Sequence, residues 1–246
     1  MSQPLSEGDA SSDPRQDAMR AVGLVVFYFG CNFLASLLIT IAVSLWCVAT
    51  NTEFTLLKPA LEEMLPLGAC LCAVAITAIA SRYLLFGAAR PGTRLTMPSA
   101  DDLALSVTTG LALGMFFINI GGLMVSGDSE TAFTPGLQKE AVSVSWFLFA
   151  LLLAPVIEEF LFRGILYDGF SGFGTIVAFS ISTLGFVLVH LPETLRFMPA
   201  LLGISALSLA SGWYRIKTGN LFNCIVMHLS YNLALASAVI FGLILT

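Results

Sequence analysis

The sequence predicts an all-α fold, a polytopic transmembrane bundle of about seven spans (seven or eight), and three observations predict it. Hydrophobic residues make up 57% of the 246 and charged residues 11%, against about 45–50% and about 25% in soluble domains. Mean hydropathy is +0.89. Several runs reach the roughly 20 apolar residues that a helix needs to cross a bilayer. With 11 Lys and Arg and 16 Asp and Glu, the chain cannot cover a water-soluble surface of this size. A soluble enzyme is therefore excluded, as is a largely disordered chain. A formal net charge of −5 without a basic patch excludes a nucleic-acid partner; the bilayer itself is the first partner implied.

Residues 1–20 are polar, acidic and rich in Ser, Pro and Asp, the composition of a disordered tail. They lack the charged n-region of a signal peptide, and the apolar run behind them is too long for its h-region, so no cleavage is expected. Residues 21–50 carry no charge and form the first expected span. The second is Met64–Phe86, closing on Arg82 and an interfacial Tyr83. The third, Leu103–Ser126, contains Gly110 and Gly114, a small-xxx-small pair expected to pack helices within the chain rather than between copies. The fourth covers Val144–Tyr167, and the fifth Thr175–Phe197, bent at Pro192. The sixth is short, Pro199–Tyr214, and the seventh is Leu221–Leu245.

This layout divides the chain into a tail (1–20), N-terminal transmembrane helices (21–139) and a C-terminal helical core (140–246). A cytoplasmic N-terminus places Arg15, Arg20, Arg82, Arg90, Arg94, Arg215 and Lys217 inside, with Lys58, Lys139 and Arg196 outside. That bias obeys the positive-inside rule and suggests a multi-pass protein of the cell membrane. Five cysteines (Cys31, Cys47, Cys70, Cys72 and Cys224) are scattered through apolar runs and read as small apolar filler, not a disulfide framework.

The informative residues break the bilayer rule. A charge near the bilayer centre costs about 2.5–3.5 kcal/mol even on the lenient insertion scale, so such residues face a bundle interior or a wet cavity. Glu158, Glu159 and Arg163 lie inside the fourth span, and the chain's only two histidines, His190 and His228, lie in the fifth and seventh. Glu159 and Arg163 are i,i+4 with the acid first, the better orientation for an intrahelical ion pair. Glu158 points about 100° away, without a local partner, and is suited to take a proton from water. His228 and Asn232 share a helix face and could hold a developing oxyanion. Phe186 and His190 share another, with Phe186 packing the imidazole. Each alone could be a buried polar residue bonding between helices; the set on three spans is harder to explain as packing.

Together, Glu158-Glu159-Phe-Leu-Phe-Arg163, Phe186-Val-Leu-Val-His190 and His228-Leu-Ser-Tyr-Asn232 resemble the EExxxR, FxxxH and HxxxN/B motifs of the CPBP intramembrane proteases. That family includes the type II CAAX prenyl endopeptidases and the bacterial Abi, or bacteriocin-immunity-like, proteins. The resemblance covers about residues 140–245. It implies an endopeptidase with an intramembrane catalytic cavity and a membrane-embedded or lipidated protein or peptide as substrate, prenylated in the eukaryotic branch. By the resemblance, Glu158 with His190 activates a water, His228 and Asn232 stabilise the oxyanion, and Glu159, Arg163 and Phe186 support the site. Whether a divalent metal such as zinc takes part stays open: Glu158, His190 and His228 would be its ligands. Against it, no HExxH helix is present and Asn is a poor zinc ligand, so a metal-independent glutamate mechanism is preferred, with no cofactor. The resemblance leaves the oligomeric state open.

Two alternatives remain at this point. Gly169-Phe-Ser171-Gly172 matches the GxSG loop of rhomboid-type serine proteases, with His228 as base, but this leaves Glu158, Glu159 and Arg163 unexplained. Tyr167-Asp168 matches half of a presenilin-type aspartyl pair, with no GxGD in a later span. The other alternative is a non-catalytic immunity or scaffold protein. The catalytic reading also sets a geometric condition. His190 near the end of span five and His228 near the start of span seven would lie up to about 20 Å apart unless span five runs on past Pro192 or tilts. Imidazoles more than about 12 Å apart could not share a site.

Overall fold

The start of the first helix is set by a local cap rather than by hydropathy. Asp13 accepts a hydrogen bond from the Arg15 amide at 3.0 Å, and Pro14 occupies the first turn, where a missing N–H costs nothing. In the computed structural model, which describes residues 13–84, 95–124, 149–195 and 198–245, helix α1 therefore runs Pro14–Thr50. The expected disordered tail of residues 1–20 is corrected accordingly: residues 13–20 are a capped helix N-terminus, while residues 1–12 lie outside the described residues. Asn51 ends α1 in the left-handed region at φ 52°, its amide returning to the last-turn carbonyls. Helix α2, Phe54–Leu84, packs back along α1.

Helix α3 (Ala100–Met124) begins with a reciprocal cap between Ser99 and Asp102. The last helix of the chain, Leu221–Leu245, has the bounds expected for the seventh span, and it lies against α3 at Gly110 and Gly114. A Cβ on Gly110 would meet Met227 O at 2.1 Å, and one on Gly114 would meet Ala234 Cβ at 2.6 Å. Only glycine permits so close an approach. The small-xxx-small pair thus packs helices within the chain. Asn223 adds hydrogen bonds from Nδ2 to Asp102 O and Ser106 Oγ across the same contact.

Between these elements the fourth helix, α4, is not a uniform α-helix. Residues 149–170 pass through a π-helical turn (Phe149–Leu153), an α-helical turn (Ala154–Glu159), a second π segment (Phe160–Leu166) and a final α turn (Tyr167–Phe170). Wide turns of this kind concentrate at functional sites because they redirect side chains and free backbone carbonyls. A short turn, Ser171–Phe173, leads through Gly174 at φ 101° into α5, Thr175–Val189. There the structure departs from the expected span Thr175–Phe197: the helix stops at Val189, His190 caps it, and a single separate turn, α6 (Leu191–Thr194), follows. Helix α7 is Met198–Thr218, and Leu221–Leu245 is α8.

All the described elements are helical. By length and composition, Pro14–Thr50, Ala100–Gly121 and Leu221–Ala238 can each cross a membrane; Met64–Ala78 and Thr175–Val189 are shorter apolar stretches. The expected seven spans thus reduce to three that meet this criterion among the described residues. Breaks in α4 and the early stop of α5 shorten the apolar stretches there. The expected boundary at residues 139–140 lies outside the described residues. Large apolar side chains such as Phe33, Val48, Phe116 and Ile176 stand exposed around the helices, a surface suited to lipid. With this surface and these helices the chain is an integral membrane protein. The buried core sits where α4, α5, α7 and α8 meet, around Phe162, Phe186, Leu207, Met227 and Tyr231.

Candidate active site

The two adjacent glutamates of α4 have different surroundings. Glu159 is fully buried, whereas the side chain of Glu158 keeps 26% of its accessibility. A buried charge must be matched on all sides, and Glu159 is: His228 Nδ1 lies 2.9 Å from its Oε1, Ser211 Oγ donates to its Oε2 at 2.6 Å, and Arg163 Nε stands 3.5 Å from the same oxygen. Arg163 is also fully buried; its Nη2 donates to Ser208 O and Ser208 Oγ at 2.9 and 2.8 Å, and its guanidinium lies 4.4 Å over the Phe186 ring.

Glu158 faces the histidines. His190 Nε2 is 3.7 Å from Glu158 Oε2, and His228 Nε2 is 3.9 Å from the same oxygen. Two rings that both reach one oxygen lie well inside the 12 Å limit for a shared site. The expected extension of span five is not what brings them together. Helix α5 has 15 residues, about 22 Å of helix against roughly 30 Å of hydrocarbon. It ends short of a full crossing, so His190 stays inside the bundle, while His228 lies two turns into α8.

Each ring is oriented by its other nitrogen. His190 Nδ1 is 2.8 Å from Phe186 O; a carbonyl only accepts, so Nδ1 carries the proton and caps the end of α5. By the same reasoning His228 Nδ1 donates to Glu159. In a neutral ring this leaves the lone pair of each Nε2 toward Glu158. Phe186 packs against both rings, at 4.6 Å from His190 and 5.7 Å from His228 between centroids. Asn232, one turn beyond His228, donates from Nδ2 to Ala150 O at 3.0 Å, which uses one of its two amide hydrogens.

Two bare imidazole nitrogens and a carboxylate, those of His190, His228 and Glu158, are donor chemistry that zinc accepts. Among the described residues no group of three His, Cys, Asp or Glu side chains is placed to hold a metal ion.

The alternative residues are otherwise engaged. Ser171 sits in the turn between α4 and α5, donating to Asp168 O at 2.7 Å, while His228 is taken up with Glu159 and Glu158. Asp168 is ion-paired with Arg215 at 2.6 Å. Arg215 itself corrects the expectation that it is a loop charge: it lies within α7 and is 6% exposed. Sequence reasoning also missed Ser208 and Ser211. The signal was present, because Ser208, Ser211 and Arg215 recur at i, i+3 and i+7 and so form one polar stripe on a largely apolar helix.

Fold and site together define an all-helical integral membrane protein with a buried carboxylate–histidine cluster. Residues 140–234 match the family model described as Type II CAAX prenyl endopeptidase Rce1-like. The match contains all three motif segments, and the resemblance to the CPBP intramembrane proteases stands on it. No curated protein and no solved structure matches the chain.

Proposed function

We propose that the chain is an intramembrane endopeptidase that hydrolyses a peptide bond of a membrane-associated protein or peptide with water activated by Glu158. The observation that carries this reading is the meeting of Glu158 Oε2 with the Nε2 atoms of both histidines, each supplied by a different helix. Separations of 3.7 and 3.9 Å exceed a direct hydrogen bond and leave a reacting water within reach of all three atoms.

A water that donates to Glu158 and to the lone pair of His190 Nε2 turns its own lone pair toward a bound carbonyl carbon. Glu158 takes its proton as the C–O bond forms, then passes it to the amide nitrogen as the C–N bond breaks; general-base assistance of this kind is worth about 10²–10⁴-fold. The oxyanion is held by the second N–H of Asn232 and by His228 Nε2. Since His228 Nδ1 already donates to Glu159, Nε2 donates only when the ring holds both protons, and Glu159 supports that state as counter-ion. Such a donor contributes about 10²–10³-fold. Arg163 and Phe186 hold Glu159 and the rings in place. A lipidated, CAAX-type protein or peptide is the substrate class the family match suggests, cleaved by a multi-pass protein of seven spans with a cytoplasmic N-terminus.

The test is cleavage, by the purified chain in liposomes, of a farnesylated CAAX-type peptide and its unlipidated counterpart, with the new C-terminus read by mass spectrometry. Glu158→Gln should lower the rate by about 100-fold or more at unchanged folding, and Ser171→Ala should leave it intact. Full activity in Glu158→Gln would refute the mechanism. A host phenotype that survives this substitution would point to the scaffold or immunity role instead.

A further inference from the structure

Arg215 belongs to none of the three motifs, yet it is one of the best-satisfied charges in the bundle. Its Nε donates to Arg163 O at 2.9 Å, its Nη1 to Gly219 O at 2.5 Å and its Nη2 to Asp168 Oδ1 at 2.6 Å, and its guanidinium stacks 5.1 Å from the Tyr167 ring. These partners lie on both sides of it in the chain. Gly219, at φ 63°, is the turn between α7 and α8; Arg163 lies in the second π segment of α4, and Asp168 in the α turn behind it. One planar fork thus ties the turn into α8 to the segment that carries the EExxxR residues.

We infer that Arg215 is a positioning residue for the active site: by holding the Arg163 carbonyl it fixes the π segment, and through Arg163 and Glu159 it fixes His228. The connection is continuous. Arg215 holds the backbone of Arg163; the Arg163 side chain faces Glu159 Oε2; Glu159 Oε1 receives His228 Nδ1. Arg215 also grips the turn from which α8, and with it His228, begins. A lysine keeps the charge beside Asp168 but lacks the fork, so it cannot hold the Arg163 and Gly219 carbonyls as well. The kinetic effect expected of Arg215 rests on the proposed hydrolysis; the effect on the His228 ring does not.

The test is Arg215→Lys in the full chain, in the same liposomes, with Lys217→Ala two residues along the same helix as control. Lys217 is exposed and lies over Trp213, away from the site. Because the chain has two histidines only, ring ¹⁵N spectra of histidine-labelled protein report the two sites separately. The inference expects the His228 ring signals to shift in Arg215→Lys while those of His190 stay. It also expects kcat to fall about tenfold or more with KM within about twofold, as displaced catalytic geometry does. Unchanged His228 signals, or equal shifts of both histidines, overturn it. If Arg215→Lys does not fold, Arg215→Gln, which keeps an amide N–H to hold a carbonyl, takes its place with the same criteria. If the wild-type chain cleaves no peptide, the hydrolysis reading fails and the spectra alone decide the role of Arg215.

Discussion

Replacing Gly110 by alanine tests whether catalysis depends on the close seat of α8 against α3. An alanine Cβ would stand 2.1 Å from Met227 O, 2.8 Å from Ser230 Cβ and 3.0 Å from Tyr231 N. The worst contact is with a backbone carbonyl, which has no rotamer to turn away. To bring it out to 3.0 Å, α8 must retreat from α3 by about 0.9 Å. Overpacking of this kind costs about 1–3 kcal/mol. The displaced residues flank His228, and an error of about 1 Å in a catalytic group can cost about 10²-fold. Gly110→Ala should therefore unfold several degrees earlier in a fixed detergent and lose about 10- to 100-fold in kcat. Gly30→Ala on α1 is the matched control. Its Cβ meets nothing within 4 Å, and alanine improves helix propensity by about 0.5–1 kcal/mol, so stability should hold or rise. Wild-type melting and turnover in Gly110→Ala would refute the claim that this glycine sets the position of the site.

Four further substitutions separate the forces at work. Glu159→Gln removes the counter-charge of the fully buried Arg163 and should destabilise by about 3–5 kcal/mol in thermal unfolding; adding Arg163→Met should recover part of that loss, and strict additivity would show the two are not coupled. Ser211→Ala deletes a 2.6 Å hydrogen bond to a buried carboxylate, with an expected loss of about 1.5–3 kcal/mol in the same measurement. Gly174→Ala isolates backbone strain, since its Cβ meets nothing within 4 Å but its φ is 101°; the cost should be about 1–3 kcal/mol, and none at all would mean that the turn into α5 is relaxed in another conformation.

Much of this arrangement was legible because a bilayer makes hydropathy a strict code. Helix α8 has the bounds its apolar run predicts, and Gly110 and Gly114 pack where small-residue spacing puts them. Glu158, Glu159, Arg163, His190 and His228 stood out because they lie deep in those spans, whereas Glu193 and Arg196 fall at the end of the fifth. What stayed hidden depends on geometry rather than composition. The π segments of α4 have no sequence signature. The end of α5 at Val189 was obscured because Pro192 reads equally well as a kink or a stop, and the deciding bond, His190 Nδ1 to Phe186 O, is visible only in three dimensions. The start of α1 was missed because one Asp–Pro cap outweighs a polar neighbourhood. Arg215 was misplaced because the end of an apolar run looks like the end of a span, and a cation there satisfies the positive-inside rule whether it is buried or exposed.

The wide turns of α4 connect these observations. Adjacent side chains on a helix diverge by about 100°, so Glu158 and Glu159 must serve different surroundings. Glu159 turns inward, where Arg163, Ser211 and His228 surround it, and Glu158 turns toward space that both histidines border. In a low-dielectric interior two carboxylates on consecutive residues would repel strongly unless one were neutralised locally. The Arg163 guanidinium does this for Glu159, and Arg215 does the same for Asp168 nine residues further on. Arg163 and Arg215 thus each stand beside a carboxylate of α4, while Glu158 Oε2 lies 3.7 and 3.9 Å from the Nε2 atoms of the two imidazoles. A fixed guanidinium would hold a carboxylate permanently as an anion; imidazoles, which can take or release a proton, leave it able to exchange one. On the proposed mechanism, this closeness to both imidazoles suits Glu158, rather than the ion-paired Glu159, to the role of base.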